Sequence, residues 1–281
     1  MKGRKVAVIG GSGIYQLEKS KLIKKHPVET PYGKPSSDIY EVELDGRTFF
    51  FIPRHGEGHK YLPSEVNYRA NLYALKSLGV NVVLSVSAVG SLQEEFAPGT
   101  FVLPGQFLDW TKGQRARSFF GEGMVGHVST AYPIELNLRN RISKICSDLE
   151  IKYETGGTYV CIEGPQFSSR AESEIYRGFG CSVIGMTNVP EAYLAKEAGM
   201  AYATIAMVTD YDCWKDVHCS VDEILKVMSE NIGKAKELVA KVIPDLVDNP
   251  IEFSPENEHA VMTKPELLTA QHQEILEVLL S

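Results

Sequence analysis

Short apolar runs alternate with amphipathic segments along most of the chain. The apolar runs are rich in β-branched residues and end at glycine, proline or polar residues, which is typical of strands buried on both faces. The segments between them repeat their apolar positions at helical spacing. We therefore predict strands at Val6–Ile9, Thr48–Ile52, Val80–Ser87, Thr100–Leu103, Thr158–Ile162, Val183–Met186 and Ala201–Val208.

The ends of the predicted helices carry recognisable signals. Pro63 favours a helix start because its missing N–H would be unpaired there in any case. A serine three residues before a glutamate marks a capping box at Ser169 and again at Ser220. We predict helices over 63–76, from Ser169 to Gly178 or Gly180, from Asn188, from Ser220 through Val242, and over 263–280.

This alternation predicts an α/β fold with a mixed, largely twisted central sheet flanked by helices. At 281 residues the chain is near the upper size for one hydrophobic core, so we expect a single large domain. We assign residues 1–247 to that domain, 248–262 to a linker, and 263–281 to a C-terminal helical appendage. The appendage is expected to pack on the body or on a neighbouring subunit.

The composition argues against several classes of protein. A formal charge of −7 provides no basic surface for nucleic acid, and the lysines of residues 19–25 lie beside acidic residues, as on a solvated face or loop. No run approaches the ~18 apolar residues of a membrane helix, and the first apolar run is too short for a signal peptide. The five cysteines are odd in number and scattered. We therefore expect a reducing cytoplasm, no disulfide framework and no metal site.

Residues suited to an anion follow three of the predicted strands. Ser12 lies in a glycine-rich turn, which lacks both the dinucleotide fingerprint and the P-loop lysine. Arg54 and His55 provide a rigid donor fork and an imidazole, and Ser87 with Ala88 begins a small, hydroxylated stretch. Each alone could be a tight turn or a surface ion pair. Because ligands gather at the carboxyl ends of sheet strands, together they predict a small-anion site.

Two aspartates, Asp210 and Asp212, follow the predicted strand Ala201–Val208. Side chains two residues apart on a strand share a face. Two crowded carboxylates rarely both ionise, so one is expected to keep its proton. Such an acid could donate that proton to a nitrogen of a leaving base. The alternative interpretation is that both are solvated loop residues or helix caps.

Three further residues could meet a base and a sugar. Phe167 follows the turn at Gly164-Pro165, and an aromatic face stacks well on a flat heterocycle. Burial in the core is the alternative for any single phenylalanine. Met186 and Thr187 close another strand beside a helix start, where they could contact the sugar and the anion, although methionine often only fills space.

Several motifs, taken in order, carry a family resemblance. They are Gly10-Gly-Ser-Gly13, Thr30-Pro-Tyr-Gly-Lys-Pro35, Arg54-His-Gly56, Asn67-Tyr-Arg-Ala-Asn71, Ser87-Ala-Val-Gly-Ser91, Glu163-Gly-Pro-Gln-Phe-Ser-Ser-Arg-Ala-Glu172, Met186-Thr-Asn-Val-Pro-Glu191 and Thr209-Asp-Tyr-Asp-Cys-Trp214. From about residue 6 to 243 the chain resembles the trimeric purine nucleoside phosphorylases, and most of all their S-methyl-5′-thioadenosine phosphorylase branch. Beyond residue 248 the resemblance fades.

The resemblance implies a role for each matching residue. Asp210 is the implied catalytic acid, and with Asp212 it would face N7 and the 6-amino group of a purine. The implied phosphate ligands are Ser12, Arg54, His55, Ser87, the backbone of Ala88, and Thr187. The implied nucleoside contacts are Met186 at the ribose, Phe167 and Ser168 along the base, Val221, Ile224 and Leu225 around a 5′-methylthio group, and His127 from a neighbouring subunit.

The implied reaction is that of a pentosyltransferase: phosphorolysis of 5′-methylthioadenosine in purine and methionine salvage. The resemblance implies phosphate as co-substrate, no cofactor, and a homotrimer or a multiple of it. Aspartates at positions 210 and 212 favour a 6-aminopurine, because a carboxylate accepts hydrogen bonds from an amino group. The alternatives are a 6-oxopurine or 5′-methylthioinosine phosphorylase, a hydrolytic nucleosidase that needs no phosphate ligands, and a nucleoside-binding sensor without turnover.

Overall fold

The computed structural model describes residues 5–11, 17–215 and 221–281, with the side chains of the last range described from residue 225 onward. The described strands are β1 (Lys5–Gly10), β2 (Ser20–His26), β3 (Ile39–Leu44), β4 (Arg47–Pro53), β5 (Val80–Ser91), β6 (Phe101–Leu103), β7 (Gln106–Trp110), β8 (Tyr153–Thr155), β9 (Thr158–Ile162), β10 (Val183–Gly185) and β11 (Ala201–Tyr211). The described helices are α1 (Tyr68–Ser77), α2 (Leu136–Asp148), α3 (Arg170–Gly178), α4 (Asn188–Glu197), α5 (Val221–Asp248) and α6 (Ala270–Leu279), with a 3₁₀ turn at Pro265–Leu267.

The strands form one mixed sheet with helices packed on it, so the predicted α/β class is confirmed. The main path runs β2-β3-β4-β1-β5-β10-β9-β7, and β11 extends the sheet from β5 through β6 to β8. The β1, β4, β5 and β11 strands are mutually parallel where they pair, whereas β10 is antiparallel to β5. Their largely apolar sequences are buried on both faces, as expected of central strands.

The pairing along one edge of β5 is interrupted. Pairing with β1 ends at Ser85, and pairing with β10 begins at Gly90. Among the described strands, none pairs with residues 86–89 along that edge, while β11 continues along the other. Ser87 and Ala88 therefore lie at a break in the sheet, the kind of place where α/β sheets accept ligands. The predicted strand end at Ser87 is wrong, because β5 continues past the break to Ser91.

The first predicted helix begins later than the proline signal indicates. Pro63 lies in the preceding turn, and α1 begins at Tyr68 with Asn67 as its N-cap, whose side chain accepts a hydrogen bond from the Ala70 N–H at 3.1 Å. The side-chain cap determines the start, since it satisfies a backbone donor that a proline merely lacks.

The last helix is likewise shorter than predicted. It begins at Ala270 behind a capping box formed by Thr269 and His272, because Pro265 starts a separate 3₁₀ turn. Ile275 and Leu279 of α6 are buried in the main hydrophobic cluster. Asn257 in the preceding segment donates hydrogen bonds to the carbonyl oxygens of Glu197 and Leu279 at 2.9 and 3.0 Å. This C-terminal segment therefore packs on the body of its own chain.

Candidate active site

Arg54 fills the start of the break in the sheet. Its side chain is only 3% exposed, and Nη1 donates to the carbonyl oxygen of Val86 at 3.1 Å. Nε and Nη2 donate to the two carboxylate oxygens of Glu191 at 2.7 and 2.9 Å. The guanidinium is thus held rigidly, and one N–H of Nη1 has no acceptor among the described residues, so it is available to an incoming anion.

Glu191 is the counter-ion that keeps this buried arginine charged. It is fully buried and also accepts hydrogen bonds from the hydroxyls of Ser85 at 2.9 Å and Tyr202 at 2.8 Å. Burial acts to lower the pKa of Arg54, but the Glu191 carboxylate more than offsets this, so the pKa is raised. Both charges are therefore retained inside the protein, and the hydroxyl groups of Ser85 and Tyr202 provide further hydrogen bonds to the Glu191 carboxylate.

Three hydroxyl groups line the break beyond Arg54. The Ser87 hydroxyl lies 3.3 Å from that of Thr187 and 3.4 Å from that of Tyr159. Burial raises the pKa of Tyr159 to about 12, so its O–H remains a donor. Gly185 permits this arrangement, since a Cβ at that position would collide with the Tyr159 hydroxyl. Hydroxyl donors around a fixed guanidinium form a suitable site for an oxyanion.

His55 is neutral and has a fixed tautomer. Its Nδ1 lies 2.9 Å from the carbonyl oxygen of Tyr61, and because a carbonyl only accepts, Nδ1 carries the proton. Burial, followed by the charge of Arg54, lowers the pKa of His55 to about 4. Nε2 therefore presents a lone pair at neutral pH.

The low pKa of His55 predicts a pH dependence of folding. Between about pH 4 and 6.5 the unfolded imidazole binds a proton that the folded one does not, so the free energy of unfolding should rise with pH across this window. The contribution is at most about 3 kcal/mol, from the size of the shift. Urea unfolding at pH 5 and pH 7 should show a smaller pH difference for His55→Gln than for the unsubstituted protein. Equal differences would contradict this assignment.

Asp210 and Asp212 lie beside β5 at the far end of the break. The predicted strand end at Val208 is wrong, because β11 continues to Tyr211 through an irregularity that pairs Asp210 with Gly90. Burial is the main cause that raises the pKa of both carboxyl groups. Repulsion from Asp212 raises the pKa of Asp210 less than burial does. Desolvation, more than crowding by the neighbouring carboxylate, therefore favours the protonated form of Asp210.

The base-side candidates connect to these carboxylates. The Ser168 carbonyl oxygen accepts a hydrogen bond from Cys213 Sγ at 3.2 Å, which joins the Phe167–Ser168 loop to the residue after Asp212. Phe167 is 86% exposed, so it is not a core residue and its face is available for stacking. The Met186 side chain packs against Gly164 at the start of the same loop.

The remaining candidates either lie outside the described residues or are exposed on the surface of the described chain. Ser12 and the side chains of Val221 and Ile224 lie outside the described residues. Leu225 on α5 is 57% exposed. His127 is exposed, and its N–H donates to the carbonyl oxygen of Ala260 in the C-terminal segment of the same chain. Within the described residues of one chain it therefore completes no pocket.

Two other features are absent from the described residues. No group of three or more His, Cys, Asp or Glu side chains is placed to hold a metal ion. No described helix combines the length and apolar character needed to cross a membrane.

Known proteins share both the sequence and the fold. A family model described as the phosphorylase superfamily matches residues 5–244. An S-methyl-5′-thioadenosine phosphorylase of Rhodospirillum rubrum is 49% identical over 268 residues, covering 93% of this chain and 90% of that protein. The crystal structure of a methylthioadenosine phosphorylase from an antarctic soil metagenomic library matches with a TM-score of 0.94 at 43% identity, covering 100% of both chains. A mutant adenosine/methylthioadenosine phosphorylase of Schistosoma mansoni, in complex with methylthioadenosine, matches with a TM-score of 0.82 at 36% identity, covering 88% of this chain and 93% of that chain.

The chain belongs to the phosphorylase superfamily. Within it, the similar proteins above are methylthioadenosine phosphorylases, in agreement with the branch that the sequence motifs resemble. The resemblance inferred from those motifs is thereby confirmed.

Proposed function

We propose that this protein is a pentosyltransferase that converts 5′-methylthioadenosine and phosphate to adenine and 5-methylthioribose 1-phosphate. The observation that carries the proposal is the arrangement along β5. Ser87, with its anion-binding neighbours, and Gly90, the partner of Asp210, are three residues apart. At a rise of ~3.3 Å per residue this separation is roughly 10 Å, room for one sugar between an anion and a base.

The phosphate site consists of Arg54, His55, Ser87, the Ala88 backbone and Thr187, with Ser12 from the glycine-rich turn. Arg54 and the hydroxyls donate to phosphate oxygens. The lone pair of neutral His55 can accept the proton that monohydrogen phosphate carries. Phosphate held here is the nucleophile for the anomeric carbon of the sugar.

The nucleoside lies between this site and the aspartates. Met186 contacts the ribose, Phe167 and Ser168 lie along the base, and Asp212 assists Asp210 at the base edge. The bond from the anomeric carbon to N9 breaks first and leaves an oxocarbenium-like sugar, and a phosphate oxygen then bonds to that carbon. The proton of Asp210 goes to N7, so the purine leaves as a neutral base. Catalysis comes from positioning and from stabilising charge, without a covalent enzyme intermediate.

The carboxylates also determine the choice of base. A 6-aminopurine presents donors to an acceptor carboxylate, whereas a 6-oxopurine presents another acceptor. The relatives reported above are methylthioadenosine phosphorylases, so a 6-oxopurine substrate is not favoured.

Val221, Ile224 and Leu225 form the wall for the 5′-methylthio group. His127 completes this wall from a neighbouring subunit of a homotrimer in the cytoplasm. Light scattering of the purified protein measures the subunit number directly.

An absorbance assay tests the proposed reaction. Purified protein is incubated with 5′-methylthioadenosine, 5′-methylthioinosine or inosine, each with and without phosphate. We expect adenine release from 5′-methylthioadenosine only when phosphate is present. Preference for the 6-oxopurines would overturn the role of Asp210 and Asp212 in base choice. Turnover without phosphate would overturn the anion site.

A further inference from the structure

Arg115 is a buried arginine behind the site, in the segment between β7 and α2. Its side chain is 1% exposed, and Nε donates to Glu163 Oε1 at 2.7 Å. The other Glu163 oxygen accepts the backbone N–H of Lys112 at 2.7 Å. The Arg115–Glu163 pair is therefore satisfied within the protein, and the rest of the guanidinium is free to bind other groups.

The remaining donors of Arg115 bind backbone carbonyl oxygens of two segments. Nη2 donates to Ile162 at 3.2 Å and to Glu163 at 2.8 Å, where β9 ends. Nη1 donates to Met186 and Val189, each at 2.7 Å, where β10 gives way to α4. All five N–H groups of the guanidinium thus have acceptors. One acceptor is the Glu163 carboxylate, and the other four are backbone carbonyl oxygens.

These two segments follow the neighbouring parallel strands β9 and β10 and carry different parts of the proposed site. The first leads through Gly164 into Phe167 and Ser168, on the side of the base. The second contains Met186 and Thr187, on the side of the ribose and phosphate. One planar group with fixed geometry therefore sets the distance between them. Misplacement of reacting groups by about 1 Å can cost about 10²-fold in rate.

We propose that Arg115 is a positioning residue, which holds the base loop and the ribose–phosphate loop in register through four backbone carbonyl oxygens. This role rests on the proposed function of those loops. Lysine cannot replace it, because an ammonium has three donors on a flexible stem and no planar fork. A purely structural arginine would affect stability alone.

Arg115→Lys tests the proposal, with Arg141→Lys as the matched control. Arg141 also forms an ion pair, with Asp245 at 2.5 Å, but on the α2 and α5 helices. We expect Arg115→Lys to raise the KM for both nucleoside and phosphate and to lower kcat/KM roughly 10- to 100-fold. The control should stay within about threefold of the unsubstituted enzyme, since ion pairs of this exposure contribute little. Unchanged KM values and kcat in folded Arg115→Lys would overturn the proposal.

A second measurement does not depend on activity. Hydrogen–deuterium exchange of peptides covering 162–168 and 186–189 should accelerate together in Arg115→Lys and in Glu163→Gln, and not in Arg141→Lys. Unchanged exchange in both segments would overturn the positioning role. An inactive unsubstituted enzyme would overturn only the proposed function, because the exchange comparison still reports on Arg115.

Discussion

Asp210→Ala is expected to lower the turnover of 5′-methylthioadenosine by roughly 10²- to 10⁴-fold, the usual contribution of a general acid. Asp210 is largely buried at the β11 irregularity, and burial raises its pKa. Its protonated form therefore persists to higher pH than that of an ordinary aspartate, and acid-assisted turnover falls as the pH rises through this pKa. Steady-state kcat at saturating phosphate and nucleoside is the measurement. Near-normal kcat would remove the acid role.

Asp210→Asn separates proton donation from base recognition. The amide keeps the shape of the carboxyl group and can donate a hydrogen bond, but it transfers no proton. We expect it to lose activity on 5′-methylthioadenosine while the ratio of kcat/KM for 5′-methylthioinosine to that for 5′-methylthioadenosine rises, because an amide can donate to a 6-oxygen. An unchanged ratio would contradict the role of this side chain in base choice.

Local pattern was sufficient for most of the central strands, although it did not predict β3 or α2, which also bury apolar residues. The central strands are apolar on both faces, so β1, β4, β5, β9 and β11 stand out as continuous runs. The exposed edge strand β2 does not stand out in this way. Its lysines resemble those of a solvated face or loop, which is what the sequence predicts for residues 19–25. Charged residues are common on the edge strands of sheets. The lysine-rich sequence of β2 therefore indicates that it is exposed to solvent, but it does not indicate whether β2 pairs with another strand.

The sequence predicts many residues of the candidate site, but it predicts less of how they are arranged in space. Arg54, Ser87 and Thr187 follow or lie on strands, and the fold brings them to one break in the sheet. Glu191 and Tyr159 were not predicted as site residues. A glutamate in the first turn of α4 is an ordinary helix feature, and its pairing with Arg54 joins residues 137 positions apart. A buried charge must be paired, so an arginine at the end of a buried strand is the signal that could have prompted a search for its counter-ion.

Glu191→Gln is expected to lower the free energy of unfolding by about 3–5 kcal/mol, since it leaves the buried charge of Arg54 without its counter-ion. The substitution keeps the side-chain size, so the loss comes from charge and hydrogen bonding. Urea unfolding without phosphate is the measurement. Asp248→Asn, which breaks the partly exposed pair with Arg47, is the control, with an expected loss below about 1 kcal/mol. Similar losses in both variants would contradict the importance of the buried pair.

Phosphate should partly reverse the effect of Glu191→Gln, because a bound anion at Arg54 replaces some of the missing negative charge. We expect saturating phosphate to stabilise this variant more than the unsubstituted protein, by the linkage between ligand binding and folding. The double variant Arg54→Met with Glu191→Met removes both charges, so it should be less destabilised than Glu191→Gln and insensitive to phosphate. If phosphate stabilised the double variant as much as the single one, Arg54 would not be a phosphate ligand, and its pairing with Glu191 would serve the fold alone.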